Sequence, residues 1–324
     1  MNSLYLGIDT SNYKTSVSII DEFGNIVCNR SEYLDVALGE RGLRQSDAFF
    51  MHSCRLPDYF TDIFRSIDTT AIKAVGVSSR PRRVEGSYMP CFLAGRNAAL
   101  EIASALRIPL YEFSHQEGHI ASVVSEEHKP FIFFHLSGGT TEFLVCREDP
   151  EGYQTEIAGG TEDISIGQLI DRIGVKMGYR FPAGSYLDDI AASAETSSSL
   201  IPRINIRDNR FNLSGIETSV IRTLETIPES DKPALISELF ESISQLLAKS
   251  AISLSGQYDI AKVYIAGGVA ASKTVRKRIS DLAEGKNEYS TFPHVSQIIF
   301  GEVELSGDNA VGIARLARRI QENQ

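Results

Sequence analysis

Short apolar runs bounded by small and polar residues open the chain. Leu4 to Asp9 (LYLGID) predicts a buried strand and Thr10 to Lys14 a polar turn. Thr15 to Ile20 alternates as a second strand, and Asp21 to Asn25 turns it into a third at Ile26 to Cys28. The opening is therefore a β-meander. Residues 34–68 are mixed, with helical spacing near Asp58 to Ile67. Ala74 to Ser78 predicts a buried strand. Apolar positions from Phe92 to Leu106 predict a helix that starts near Pro90 and stops before Pro109. Leu110 to Phe113 then reads as a short strand.

Phe131 to Cys146 (FIFFHLSGGTTEFLVC) again gives strand, small-residue turn and strand, about 125 residues after the first copy. A charged break from Arg147 to Gly152 leads to Ala158-Gly-Gly. Ile164 to Met177 has helical spacing, ended by Phe181-Pro-Ala-Gly184, and the Asp188-Asp189 pair that follows reads as a helix-start feature. Ser193 to Leu200 is a small-residue surface loop, and Phe211 to Gly215 an extended piece. Lys232 to Gly256 carries the clearest amphipathic stripe, read as core. Ala261 to Ala270 is a strand ending in glycines, with a helix from Ser272 to Leu282. Val311, Ile313, Ala314, Leu316, Ala317 and Ile320 form the apolar face of a terminal helix, with Asp308 in position to cap it.

Two strand-turn-strand copies change the picture, because each turn can offer backbone amides to an anion. In the first, Thr10 or Ser11 can add a hydroxyl; in the second, Ser137, Gly138 and Gly139 leave the backbone open to close approach. Alone, each is also an ordinary hairpin. As a pair they fit two facing phosphate loops, the plan of a duplicated actin-like ATPase. The expected fold is α/β, two lobes of mixed sheet flanked by helices. Residues 1–125 with 306–324 would form the N-terminal lobe and 126–305 the C-terminal lobe. Gly267 and Gly268, between a strand and a helix, mark a place for adenine and ribose against backbone.

The segment HQEGH, His115 to His119, puts two imidazoles one helical turn apart on one face. Two readings stay open, a metal pair lacking a third ligand or a pair satisfied in the core. A metalloprotease is excluded, since Gln116 holds the general-base position and Glu117 is turned about 200° away. Arg80, Arg82 and Arg83 after a strand fit a phosphate or RNA backbone, or a solvated loop. No Walker A, dinucleotide fingerprint, serine elbow or local Cys-His pair is present.

Composition narrows the class. The 324 residues suffice for two domains, and 42% hydrophobic with 23% charged residues is ordinary for a globular chain. A net charge of -10 argues against a dedicated RNA binder, leaving RNA contact to local patches or a partner. Cys28, Cys54, Cys91 and Cys146 lack C-x-x-C spacing and fit a reducing compartment. With no signal-like start and no run of 18 apolar residues, a cytoplasmic protein without membrane insertion is expected.

The ordered motifs GIDTS, HQEGH, HLSGGTTEFLV, IGQLIDR, FPAG, FNLSGIETS, IAGGVAAS and SGDNAVGIA resemble the TsaD/Gcp family, the threonylcarbamoyladenosine synthases once described as glycoproteases. The resemblance implies transfer of threonylcarbamoyl from threonylcarbamoyl-AMP to N6 of the tRNA adenine beside the anticodon. It also implies one divalent metal, iron or zinc, an adenine nucleotide (threonylcarbamoyl-AMP or ATP), tRNA and companion subunits. By resemblance, Asp308 completes a metal set with His115 and His119. His135, Leu136, Ser137, Gly138 and Gly139 fall on the substrate turn, Asp171 on a nucleotide-sugar contact, Gly184 on the Pro-x-Gly turn and Ser272 on the adenine-site position.

Departures from the family cluster at the reactive centre. Where the family has Cys-Asp-Glu after the first motif, this chain has Asn12, Tyr13 and Lys14. Lys14 is the candidate catalytic or phosphate-pairing residue, and it is no substitute for an acid. Thr140, Gln168, Ser272 and Glu217 replace the family's His, Glu, Asn and Lys, and Ser79 to Arg82 replaces its Gly-Pro-Gly-Leu loop. A divergent paralogue is expected. The competing functions are carbamoyl or phosphoryl transfer to another acceptor and a non-catalytic nucleotide-binding partner protein.

Overall fold

The computed structural model describes residues 3–11, 13–36, 43–124, 127–194, 200–283 and 297–324. In order, these form β1 (Leu4–Asp9), β2 (Lys14–Asp21), β3 (Ile26–Tyr33), α1 (Gln45–Ser66), β4 (Ile72–Arg80), α2 (Phe92–Leu106), β5 (Leu110–Ser114) and α3 (His115–Val123). The second half supplies β6 (Phe131–Leu136), β7 (Thr141–Asp149), β8 (Gly152–Thr161), α4 (Ile166–Lys176), α5 (Gly184–Ser193), β9 (Arg210–Phe211), α6 (Ser214–Thr226) and α7 (Lys232–Tyr258). It closes with β10 (Lys262–Ala266), α8 (Lys273–Ala283), β11 (Gln297–Phe300), α9 (Val303–Ser306) and α10 (Val311–Glu322).

The sheets have orders β3-β2-β1-β4-β5 and β11-β10-β6-β7-β8-β9. In the first, β1, β2 and β3 form an antiparallel meander while β4 and β5 add in parallel on the other side of β1. In the second, β6, β7 and β8 repeat the meander and β10 and β11 repeat the parallel additions. Two-sheet duplication is thus literal at the level of strand direction. Tight turns suffice for the meanders; the parallel strands need crossovers, and helices supply them.

Strand alternation assigns the faces. Leu4, Leu6 and Ile8 point with Val17, Val75 and Val77 toward α1 and α2, burying one apolar layer. The opposite face of β1 and β4 carries Gly7 and Gly76, where a Cβ would come within 2.3 Å of the Ala310 carbonyl oxygen and 2.7 Å of that of Ile313. Their missing side chains let α10 lie directly on the sheet, so the chain's last helix packs on its first strand. A shared layer then joins the halves: Ile120, Ala121, Leu316 and Ala317 from α3 and α10 pack against Phe131, Phe133, Leu144 and Tyr264 of the second sheet. The far face of that sheet is covered by α4 to α8 around Phe134, Phe143, Ile170, Leu239 and Leu247.

Several elements differ from the sequence reading. The helix expected at Asp58 begins at Gln45, because Ala48, His52, Leu56, Tyr59 and Ile63 form one buried stripe across Pro57 that a weakly apolar pattern hides. Residues Arg147 to Gly152 are not simply a break: β7 runs to Asp149 and β8 starts at Gly152, with half its positions polar or exposed. The α6 helix has one buried apolar residue per turn, Ile216, Val220 and Leu224, too sparse to read. Asp188 lies inside α5 and serves the start of a different helix, accepting from the Lys273 and Thr274 amides of α8 at 2.8 and 3.1 Å. Asp308 does not cap α10; the Asn309 side chain accepts the Val311 amide instead at 3.0 Å. Asn12 and residues 195–199 of the expected surface loop lie outside the described residues.

Candidate metal and nucleotide site

The α3 helix starts where β5 ends, and a capping box fixes that junction: Ser114 Oγ accepts the Glu117 amide at 3.2 Å while Glu117 Oε2 accepts the Ser114 amide at 2.8 Å. Glu117 also faces the Tyr153 amide and Arg83, away from the imidazoles. His115 and His119 share the other side. Their Nε2 atoms are 3.0 Å apart, and Asp308 Oδ1 lies 3.2 Å from His119 Nε2 and 3.5 Å from His115 Nε2. Asp308 arrives there because α10 is seated on β1.

Behind this triad stands Asp9, wholly buried at the end of β1. Its Oδ1 accepts from His115 Nδ1 at 3.0 Å and from the Ser78 hydroxyl, and its Oδ2 accepts from Ser11 Oγ at 2.6 Å. Ser11 also reaches Asp308 Oδ2 at 3.3 Å. A carboxylate on Nδ1 holds a proton at that nitrogen, so that in the neutral ring Nε2 is the atom with the lone pair. Burial alone would depress the His115 pKa, but Asp9 and Asp308 push it up to about 10. Burial opposes ionisation of Asp308 as well, and the two histidines hold it well below the usual carboxylate range.

The donor set fits a divalent metal. Ligand bonds of about 2.0–2.1 Å in a tetrahedron put donor atoms about 3.3 Å apart, and the three separations here bracket that value. His135 lies beside them, its ring centroid 4.5 Å from that of His119, and the nitrogens of the three histidines approach within 4.8 Å of one another. Burial and the neighbouring histidines hold the His135 pKa well below its ordinary value.

The Ser137 turn follows β6 directly after His135 and Leu136. It is closed by the Ser137 amide on the Thr140 carbonyl at 2.8 Å and the Thr140 amide on Ser137 Oγ at 3.0 Å, and Ser165 Oγ holds the Gly138 carbonyl at 2.9 Å. Gly267, at φ 106°, lies flat on Leu136, whose carbonyl oxygen a Cβ would meet at 2.3 Å. The turn and the end of β10 are therefore one surface. Gly138, Gly184 and Gly268 all face open space where a side chain would stand. Asp171 Oδ1 accepts the Ala183 amide at 2.7 Å at the start of α5, and burial, opposed by the Ala183 and Gly184 amides, pushes its pKa up to about 6. Ser272 Oγ donates to Asp188 at 2.6 Å and accepts the Val275 amide at 3.1 Å, capping α8.

The first loop is used differently from the second. The Thr10 hydroxyl is spent on the start of α2, donating to the Cys91 carbonyl and accepting the Gly95 amide, both at 3.1 Å. Lys14 Nζ sits 5.2 Å over the Tyr33 ring and close to Gly307, with burial lowering its pKa against the opposing pull of Asp308 and Asp9. Tyr13 reaches the other half, edge-on to Phe181 at 5.3 Å. The arginine loop is neither solvated nor open to an anion at every position: Arg82 pairs with Glu142, and Arg83 with Asp149 at 2.9 Å and Glu151 at 2.8 Å. Pro81, Arg82 and the Val84 to Ser87 stretch, with His115, Gln116, His135 and Thr140, line a cleft of about 390 Å³ beside the histidines.

The sequence pattern ends the first strand at Asp9 but gives that residue no role, and the family resemblance assigns His135 to the substrate turn only. The signal for His135 was present: in FIFFHL, Phe131, Phe133 and His135 share one face.

Comparisons with known proteins agree with the motif order. A tRNA N6-adenosine threonylcarbamoyltransferase of Thermotoga neapolitana is 26% identical over 316 residues, covering 96% of this chain and 92% of that protein. One from Listeria monocytogenes is 28% identical over 325 residues, covering 97% and 90%. Among solved structures, HypF of T. kodakarensis superposes with a TM-score of 0.65 at 14% identity over 99% of this chain, which spans about half (48%) of that protein. Component A of (R)-2-hydroxyglutaryl-CoA dehydratase from Acidaminococcus fermentans superposes at 0.53 with 15% identity, covering 99% of both chains. These likenesses show the duplicated actin-like α/β (ASKHA) fold. A family model described as TsaD, tRNA N6-adenosine threonylcarbamoyltransferase, matches residues 42–313, and the chain belongs to that family.

Proposed function

We propose that this protein is a metal-dependent acyltransferase that moves threonylcarbamoyl from threonylcarbamoyl-AMP to N6 of the tRNA adenine next to the anticodon. One observation carries the reading: two imidazoles and a carboxylate at metal-ligand spacing stand beside His135, which leads into a glycine turn whose Gly138 faces open space. His115, His119 and Asp308 would hold one iron or zinc ion, and when bound it supplies a Lewis acid for phosphate or carbamoyl oxygens. The Gly138 and Gly139 amides stabilise charge developing on the acyl-adenylate, while the Ser137 amide holds the turn closed on the Thr140 carbonyl. Asp171 and the Gly184 turn hold the ribose, and Gly267, Gly268 and the Ser272 corner border the adenine. The acceptor N6 attacks the carbamoyl carbon, the bond to the phosphate oxygen breaks, AMP leaves, and N6 loses one proton to solvent. No side-chain nucleophile is required.

The same reading divides the chain into lobes 1–125 with 306–324 and 126–305, a division supported by α10 packing on β1 and β4. It implies tRNA and companion subunits as partners and a cytoplasmic location. Among the described residues, no helix is long and apolar enough to cross a membrane. A second reading, carbamoyl or phosphoryl transfer to another acceptor, is favoured by the consumption of Arg82 and Arg83 in ion pairs, which removes basic groups from an acidic protein. The deciding assay supplies threonylcarbamoyl-AMP and unmodified tRNA, with and without companion subunits, and reads digested nucleosides by mass spectrometry. Modified adenosine that vanishes in His115→Ala supports the first reading. No product beside an active relative, from folded and metal-loaded protein, rejects it.

A further inference from the structure

We infer that His135 is a fourth protein ligand, so that the metal is held by three imidazoles and one carboxylate drawn from both halves of the molecule. The inference rests on the metal reading of the His115 cluster and is independent of the acceptor. Three observations carry it. His135 is only 4% exposed, yet neither Nδ1 nor Nε2 has a hydrogen-bond partner among the described residues, and His119 Nδ1 is likewise unpartnered. An imidazole buried in this way leaves a donor and an acceptor unsatisfied, each at a cost of about 1–3 kcal/mol, unless something else engages them. Strand alternation aims the ring: Phe131 and Phe133 pack on α3, and His135, next on that face, meets His119 at 4.5 Å and His115 at 6.3 Å between centroids. The nitrogens of all three rings lie within 4.8 Å of one another, a grouping of the kind that gathers around a metal ion.

The placement has a mechanical consequence. His115 and His119 come from α3 and Asp308 from the segment before α10, both seated on the first sheet, whereas His135 belongs to the second. The ion therefore ties the sheets together at the residue that opens the Ser137 turn. Three nitrogens and one oxygen also favour zinc or iron over magnesium or calcium.

The test uses the purified full chain loaded with one equivalent of Zn2+ and counts imidazoles around the ion by X-ray absorption. Three imidazoles support the inference, and two with bound metal overturn it while leaving the His115 site intact. No bound metal overturns both. In parallel, His135→Leu is titrated with Zn2+ against a chelator; a fall in affinity of about 100-fold or more is expected, at or above what loss of a supporting group costs. An unchanged affinity assigns His135 to the substrate turn alone. Should the variant fail to fold, the imidazole count on the native chain still decides.

Discussion

Replacing Gly312 by alanine tests how the metal donors are assembled. Where α10 crosses α3, a Cβ on Gly312 would lie 1.9 Å from the Gly118 carbonyl oxygen and 2.8 Å from the Ser122 amide nitrogen. Ordinary contact begins near 3.4 Å, so the helices must part by about 1.5 Å, and both obstacles are backbone that cannot rotate away. Overpacking of this kind costs about 3 kcal/mol, and alanine returns about 1 kcal/mol of helix propensity. The expected net loss of about 2 kcal/mol lowers Tm by roughly 4 °C or more. Asp308 sits just ahead of α10, and its 3.2 Å separation from His119 would widen toward a distance that one ion cannot bridge. Zinc affinity by chelator competition should fall about 100-fold. Gly118→Ala is the control, because its Cβ meets only the mobile end of Ile313 at 2.9 Å and should cost under about 1 kcal/mol. The reasoning fails if Gly312→Ala binds zinc like the parent and melts within about 1 °C of it.

Lys14→Ala should weaken binding of AMP or ATP about tenfold in calorimetry, the value of one charged hydrogen bond, with metal content unchanged; equal affinity removes the phosphate-pairing role. Arg83→Ala leaves Glu117 buried without its cation and should destabilise by about 3 kcal/mol in urea unfolding, since Arg83 is 27% and Glu117 1% exposed; a loss below about 0.5 kcal/mol would mean the pair is dispensable. Asp171 has its pKa raised to about 6, so its neutral form favours the fold: that stability is complete below the ordinary carboxylate pKa and is lost as pH rises through about 6. Asp171→Asn should therefore flatten the stability profile between about pH 4 and 6, and an unchanged slope would assign the profile to other groups.

The sequence made the duplication legible because each meander is built from apolar runs with small-residue turns, and period-two patterns need no tertiary context. What it hid were elements whose buried stripe is thin or chemically mixed. In α1 the stripe runs through Ala48 and His52 and past a proline, and β8 alternates without a strong apolar face. The site divided along the same line. His115 and His119 are visible from spacing alone, being neighbours on one helix, whereas Asp308 became visible only through motif order. Asp9 had no role and His135 no link to the histidine pair, because each lies more than 15 residues from those imidazoles, and a lone polar residue at the end of a strand carries no local mark of what it faces.

That division explains why the altered first loop and the intact cluster coexist. Thr10, Ser11, Tyr13 and Lys14 come from one turn, but they do four separate tasks: holding α2, bridging Asp9 to Asp308, touching Phe181 and covering Tyr33. Ser11 is coupled to the cluster directly, its hydroxyl donating to buried Asp9 at 2.6 Å and lying 3.3 Å from half-buried Asp308, so changing it would take one hydrogen bond from a buried carboxylate at a cost of about 1–3 kcal/mol. The Lys14 ammonium has no hydrogen bond among the described residues and acts on the donor set only through space. A position bound to the cluster only by its field can exchange an acid for a cation without dismantling the ligands, and what changes is the charge presented to whatever enters the cleft. Divergence of acceptor or donor preference is therefore expected at Lys14 and its neighbour Tyr33, while Asp9, Ser11, Ser78 and the histidines stay fixed by one another.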